Sequence, residues 1–324
     1  KIYSGRLSDK IGKRKGLIVS GYTISVLTRP FYILAATAGN VLGLRVLDRV
    51  GKGLRDAPRD AIISLSAAKE ELGFSFGYHR TMATLGAIIG PFVAYLVLSR
   101  YPEAFNRVFV ISFAAGILAI VTLFFIADIA GQANRKNLSL GALSIYPRKL
   151  KLYLIAIFIL SVGTMPVAVL LLESQSLGLS IASIPLFYML YNISYAVFSI
   201  PAGKLSDRLG ARRVLIAGYF VLIGSYFLLR FADGAWMLAA SFLFMGLFPA
   251  ATDGVGRKYV AELTDEDTRG GAYGLYNAVT GFGALFAGIA GGYIWQAFGP
   301  HPALLFVSGA VALGLFFFLF VARD

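Results

Sequence analysis

The residues best placed to do chemistry are charged side chains set inside otherwise apolar stretches. Arg45, Arg49, Lys52, Asp56 and Arg59 recur at i, i+4, i+7, i+11 and i+14, which on a helix is a single face. Asp48 and Arg55 lie beside that stripe. A charged side chain at the centre of a bilayer costs at least ~2.5 kcal/mol unless it is paired or hydrated. Such a face therefore lines a water-filled cavity or a seam between helices, and from Asp56 onward it emerges into solvent. Arg45 and Asp48 read as functional groups in preference to a structural ion pair. Asp253 and Arg257 stand at i, i+4, within reach of each other, and serve equally well as an intrahelical pair or as functional groups. Arg29 precedes Pro30, which frees a backbone carbonyl; its guanidinium either meets an anionic partner or snorkels to the outer interface. Asn192, Tyr191 and Tyr195 are cavity candidates, and Glu173 reads as interfacial.

Other chemistry is poorly provided for. The chain has no cysteine and two histidines, His79 and His301. No metal-ligand spacing, Ser/His arrangement or phosphate-cradling loop is present, so neither metal nor cofactor is expected and an enzyme is disfavoured.

The elements that must position these residues are membrane spans. Of 324 residues, 57% are apolar and 15% charged, and the mean hydropathy is +0.73. That leaves too little polar surface to cover a water-soluble core. Uncharged blocks at 152–172 and 303–322 approach the ~20 residues that cross about 30 Å of hydrocarbon. Blocks and breakers predict ten helices, at 16–37, 40–62, 74–98, 107–127, 151–173, 182–202, 212–231, 236–258, 271–297 and 303–322.

The net charge of +13 raises nucleic acid as a partner, but the basic residues fall in short loops between apolar blocks rather than on one soluble face. One set of loops carries Arg6, Lys10, Lys13, Arg14 and Lys15, then Lys69, Arg135, Lys136, Arg148, Lys149 and Lys151, then Lys204, Arg208, Arg212 and Arg213. The alternate loops carry little charge. Positive loops stay cytoplasmic, which places both visible ends inside.

An internal repeat organises the chain. Gly5-Arg6-Leu7-Ser8-Asp9-Lys10-Ile11-Gly12 recurs as Gly203-Lys204-Leu205-Ser206-Asp207-Arg208-Leu209-Gly210, 198 positions later, and Arg59 falls on Arg257 at the same spacing. After the loss of one residue, Gly77 matches Gly274 and Gly86 matches Gly283. The halves are parallel repeats.

Gly5–Lys15 resembles the loop signature Gly-x-Leu-(Ser/Ala)-Asp-(Arg/Lys)-x-Gly-Arg-(Lys/Arg)-(Lys/Arg) of the major facilitator superfamily. Arg45, Gly51 and Gly53 are similar to its helix 4, and Gly86, Gly90 and Pro91 to the Gly-x-x-x-Gly-Pro bend of antiporter-like members. The run Asp48–Arg55 with Pro58–Ala61 looks like that of a prokaryotic branch.

The resemblance implies an all-α polytopic membrane protein holding ten of twelve helices, 3–12, the chain being entered after the first two. It implies a first bundle at 1–128 (helices 3–6), a cytoplasmic linker at 129–150 and a second bundle at 151–324. The implied activity is secondary active transport by alternating access: proton-coupled export of a small solute, or alternatively uptake or facilitated passage of a small anionic one. Arg45 would serve proton coupling, with Asp48 as proton carrier. Asp9 would latch onto the helix that begins near Gly271, with Gly5 and Arg14. Asp207 would do the same near helix 5, with Gly203 and Arg208. The expected partners are a small solute, protons and the lipid bilayer, with no nucleic acid, for a monomer in the plasma (inner) membrane with a cytoplasmic C-terminus. Most glycines of helices 5 and 11 read as close-packing positions, and 316–320 as lipid-facing.

Overall fold

The computed structural model describes residues 1–101, 104–128, 145–172 and 184–320. Glu173, Arg135 and Lys136 lie outside the described residues. Every regular element among those described is helical: α1 (Ile2–Ile11), α2 (Lys15–Phe31), α3 (Ala38–Ser66), α4 (Leu72–Arg100), α5 (Phe105–Phe124), α6 (Arg148–Val162), α7 (Val167–Leu170), α8 (Ile184–Leu209), α9 (Ala211–Arg230), α10 (Ala235–Glu262), α11 (Arg269–Phe298) and α12 (Pro300–Phe320).

These follow the ten expected spans, with one interruption. The span at 151–173 breaks after Val162, where Gly163 and Pro166 frame a short non-helical turn before α7. Tyr226 of α9 closes the break, its hydroxyl donating to the Gly163 carbonyl (3.0 Å) and accepting the Met165 amide (3.0 Å). Buried in apolar surroundings, the freed backbone groups need such a partner. Eight of the helical stretches are long and apolar enough to cross a membrane. The other two expected spans are α3, crowded with charge, and α8, which carries Tyr188, Tyr191, Asn192 and Tyr195.

The repeated loop motif ends its helix the same way in both halves. Gly12 (φ 70°) and Gly210 (φ 89°) adopt left-handed backbone, and each amide returns to a serine carbonyl, of Ser8 or Ser206, at 3.0 Å. A Cβ would be strained there, which is why the motif needs glycine.

The chain divides into two compact units that trade pieces of sequence. The first gathers residues 1–66, 89–142 and 264–277; the second gathers 67–88, 143–263 and 278–324. In the first, α2 and α3 cross where Gly21 and Gly51 face each other, so close that a Cβ on either would meet the other's carbonyl oxygen at 2.6 Å. Small residues at such crossings let helix backbones pack where no hydrophobic drive between helices exists. In the second, Tyr153 stacks edge-on to Tyr259 at 4.8 Å and tilts against Phe318 at 5.7 Å. Phe318 is thus buried, a correction to the reading of 316–320 as lipid-facing; Phe316 and Phe320 are exposed, being on the other side of α12.

The close-packing reading of the α4 and α11 glycines also needs correction. Gly283 and Gly291 do pack against Ser161 and Met165, but Gly86, Gly90, Gly281 and Gly292 have open space where a Cβ would stand. Helix α4 runs unbroken through Gly86, Gly90 and Pro91.

Candidate functional site

In the first unit, the charged face of α3 is built as its spacing requires. Asp48 pairs with Lys52 one turn on (3.1 Å), the i, i+4 spacing bringing the two ends together. Arg45 is exposed. Arg45 and Arg49 line an open cleft of about 610 Å³ with Lys1, Ser4 and Leu42. Arg55 lies 4.0 Å over the Tyr22 ring. Lower on the helix, Asp56 accepts Lys1 (2.9 Å) and Arg59 (3.3 Å), and Arg59 also reaches the fully buried Asp60 at 2.9 Å. Arg29 makes no ion pair within 4 Å among the described residues, and its Nη1 donates to the Ser112 carbonyl of α5.

In the second unit, Asp253 of α10 gathers groups from three helices. The Tyr195 hydroxyl of α8 donates to Asp253 Oδ2 at 2.6 Å, and Arg80 Nη1 of α4 stands 3.9 Å from the same oxygen. Arg257 Nη1 donates to the backbone carbonyl of Asp253 at 2.5 Å. Asn192 is buried, and its Nδ2 donates to the Tyr188 carbonyl on its own helix (2.8 Å). The rings of Tyr188, Tyr191 and Tyr195 form a ladder with centroids 6.2 and 6.3 Å apart. Helices α8 and α10 approach closely because Gly246 lies against the Tyr191 carbonyl and Ser194. Sequence reasoning missed Arg80. Its signal was available: an arginine inside a long apolar helix, the criterion that had singled out Arg45.

Two acid-to-helix contacts stand at the ends that carry the basic loops. Asp9 accepts the Gly270 amide (3.1 Å) and the Gly271 amide (2.6 Å) in the first turn of α11, with Arg14 Nη2 3.4 Å away. Asp207 accepts the Gly73 and Phe74 amides, each at 2.8 Å, in the first turn of α4. Lys258 adds its ammonium to Asp207 (2.9 Å) and to the Ser206 carbonyl (2.6 Å). Both geometries use the free amides and positive end of a helix N-terminus. The motif glycines let the helices meet: a Cβ on Gly5 would strike the Gly270 carbonyl, and one on Gly203 the Gly73 carbonyl. Arg208 is exposed. Burial pushes the Asp9 carboxyl up to about 6, against the pull of the two amides and Arg14. Asp128, not foreseen, accepts the amides of Arg14 (3.2 Å) and Lys15 (3.1 Å) and so caps α2.

Comparison with known proteins agrees with this architecture. The family described as Major Facilitator Superfamily matches residues 1–165 and again 152–324. An uncharacterized MFS-type transporter of Methanocaldococcus jannaschii is 34% identical over 318 residues, covering 95% of this chain and 78% of the relative. A class C tetracycline resistance protein of Escherichia coli is 34% identical over 113 residues, 35% of this chain and 28% of the relative. The crystal structure of the human organic anion transporter MFSD10 superposes with a TM-score of 0.83 at 13% identity, over 98% of this chain and 79% of that one.

The helical fold, the two-fold repeat and these matches define a multi-pass secondary transporter and not an enzyme. The chain belongs to the Major Facilitator Superfamily.

Proposed function

We propose that the protein couples the movement of a small solute to protons by alternating access, with Asp48 as a proton-carrying group and export as the direction. The observation that carries this reading is the Asp48 carboxylate itself. It sits inside α3, about a quarter exposed, its ion pair one lysine of its own helix, beside the cleft of Arg45 and Arg49. A carboxylate so placed is within reach of water for proton exchange. The Gly86, Gly90 and Pro91 pattern and the partial likeness to a tetracycline resistance protein are in keeping with export. In this reading the protein lies in the plasma membrane as a monomer with its basic loops and C-terminus cytoplasmic. Asp9 and Asp207 act as latches that hold the cytoplasmic helix ends together and release during the cycle.

The complete protein in proteoliposomes tests the coupling. Asp48→Asn is expected to abolish flux driven by a pH gradient while leaving the size-exclusion profile unchanged. Undiminished gradient-driven flux in that variant would remove Asp48 from the mechanism. A second reading, uptake of a small anionic solute, is favoured by the cationic cleft, where Arg45 makes no ion pair among the described residues. Flux in the direction of an inward proton gradient separates it from export.

A further inference from the structure

Arg80 is a guanidinium short of acceptors. Its Nε is buried and donates to nothing among the described residues, and its contact with Asp253, at 3.9 Å, is at the outer edge of an ion pair. Buried donors in folded proteins are nearly always paired, and arginine in particular presents a planar fork suited to a carboxylate. Asp253 does not supply that fork. Its Oδ2 is taken at 2.6 Å by the Tyr195 hydroxyl, and its side chain remains 45% exposed against 17% for Arg80. The half-exposed Asp253 thus stands beside a cation whose Nε has no acceptor among the described residues.

The ladder of Tyr188, Tyr191 and Tyr195 stands on α8 beside this pair, and Tyr188 is exposed. Tyr188 and Tyr191 are stacked and Tyr195 is tilted at 56° to Tyr191, so the exposed Tyr188 end of the ladder offers an aromatic face to a flat ring. We propose that Arg80 is the anion-binding residue of the second unit, taking the carboxylate of an aromatic acid whose ring lies against the tyrosine ladder, in exchange for its loose pair with Asp253. This rests on the transporter reading and adds to it the class of solute.

The exchange gives Asp253 a definite part. It competes with the solute for Arg80, and a solute that takes the guanidinium leaves Asp253 its Tyr195 contact. Arg257 already donates to the Asp253 backbone carbonyl, so it stabilises the helix turn with or without the solute. Removing the Asp253 charge is therefore expected to tighten binding of the anion.

The test is binding of benzoate to the purified complete protein by calorimetry, with no gradient present, and with benzylamine as the ring-matched cation. Wild type is expected to bind benzoate and not benzylamine. Arg80→Gln is expected to weaken benzoate about tenfold or more, the loss of one charge-assisted pair. Arg80→Lys keeps the charge without the fork and retains part of the affinity, which separates lost binding from lost folding. Asp253→Asn, which removes the competing charge, is expected to bind benzoate more tightly than wild type. Equal benzoate affinity in wild type and Arg80→Gln, or benzylamine binding that Asp253→Asn abolishes, overturns the proposal. So does failure of wild type to bind benzoate. Asp48→Asn is expected to leave this binding untouched, so a failed coupling experiment and a failed anion site are told apart.

Discussion

At the scale of single residues, the two acid-to-helix contacts are repeats of one another with different counter-charges. The position 198 residues before Lys258 is Asp60, so the first half has a buried acid where the second has a buried ammonium. Asp207 accordingly enjoys a close cation at 2.9 Å, while Asp9 has Arg14 at 3.4 Å. The consequence is a titration near neutrality. Burial raises the Asp9 carboxyl to about 6 from the ordinary value of 3.8, so the folded protein holds that proton more tightly than the unfolded chain. Its contribution to stability is then fully present below about pH 4 and is lost as the pH rises through about 6. Melting temperatures of wild type and Asp9→Asn measured from pH 4 to 7 are expected to move relative to each other, wild type losing ground as pH rises. A constant difference across that window refutes the assignment.

At the scale of elements, glycines do two unlike things in this protein, and a substitution series separates them. Gly203 lies where α8 meets the start of α4, and a Cβ there would strike the backbone of Gly73 and Phe74. Gly203→Ala is expected to cost about 1–3 kcal/mol, the ordinary penalty for overpacking. Gly90 has open space, and alanine there is expected to be neutral or stabilising by up to about 1 kcal/mol, since glycine weakens a helix interior. Thermal unfolding of both variants of the complete protein checks the contrast; equal losses would contradict the close crossing. If Gly90 serves a bend in transport, Gly90→Ala loses flux while its melting point holds.

At the scale of the whole molecule, the compact units do not follow the sequence halves. Residues 67–88 gather with the second unit and 264–277 with the first, and these are the segments that Asp207 and Asp9 hold. These 324 residues contain no cysteine, so an introduced thiol meets no competing thiol among them. Ser8 is fully buried within the Asp9 contact. Labelling of Ser8→Cys is expected to rise several-fold when Asp9→Ala is added, as the latch reading requires a shift of population toward the released state. Unchanged labelling would leave Asp9 a structural cap without a conformational role.

How much of this was legible in the sequence follows from where each piece of information is stored. Long apolar blocks, their breakers and the repeat around Asp9 and Asp207 are local or self-similar, so they determined the helices, the spans, the family and the two acid positions. Hydropathy reads them because a bilayer imposes length and composition on every span independently. The partners of individual charges were decided only by tertiary structure. Asp48 turning to Lys52, Arg29 ending on a carbonyl of α5, and Arg80 meeting Asp253 each depend on how far one helix is rotated against another. A few tens of degrees of rotation exchange one neighbour for the next, and nothing in the spacing along a single helix records that angle.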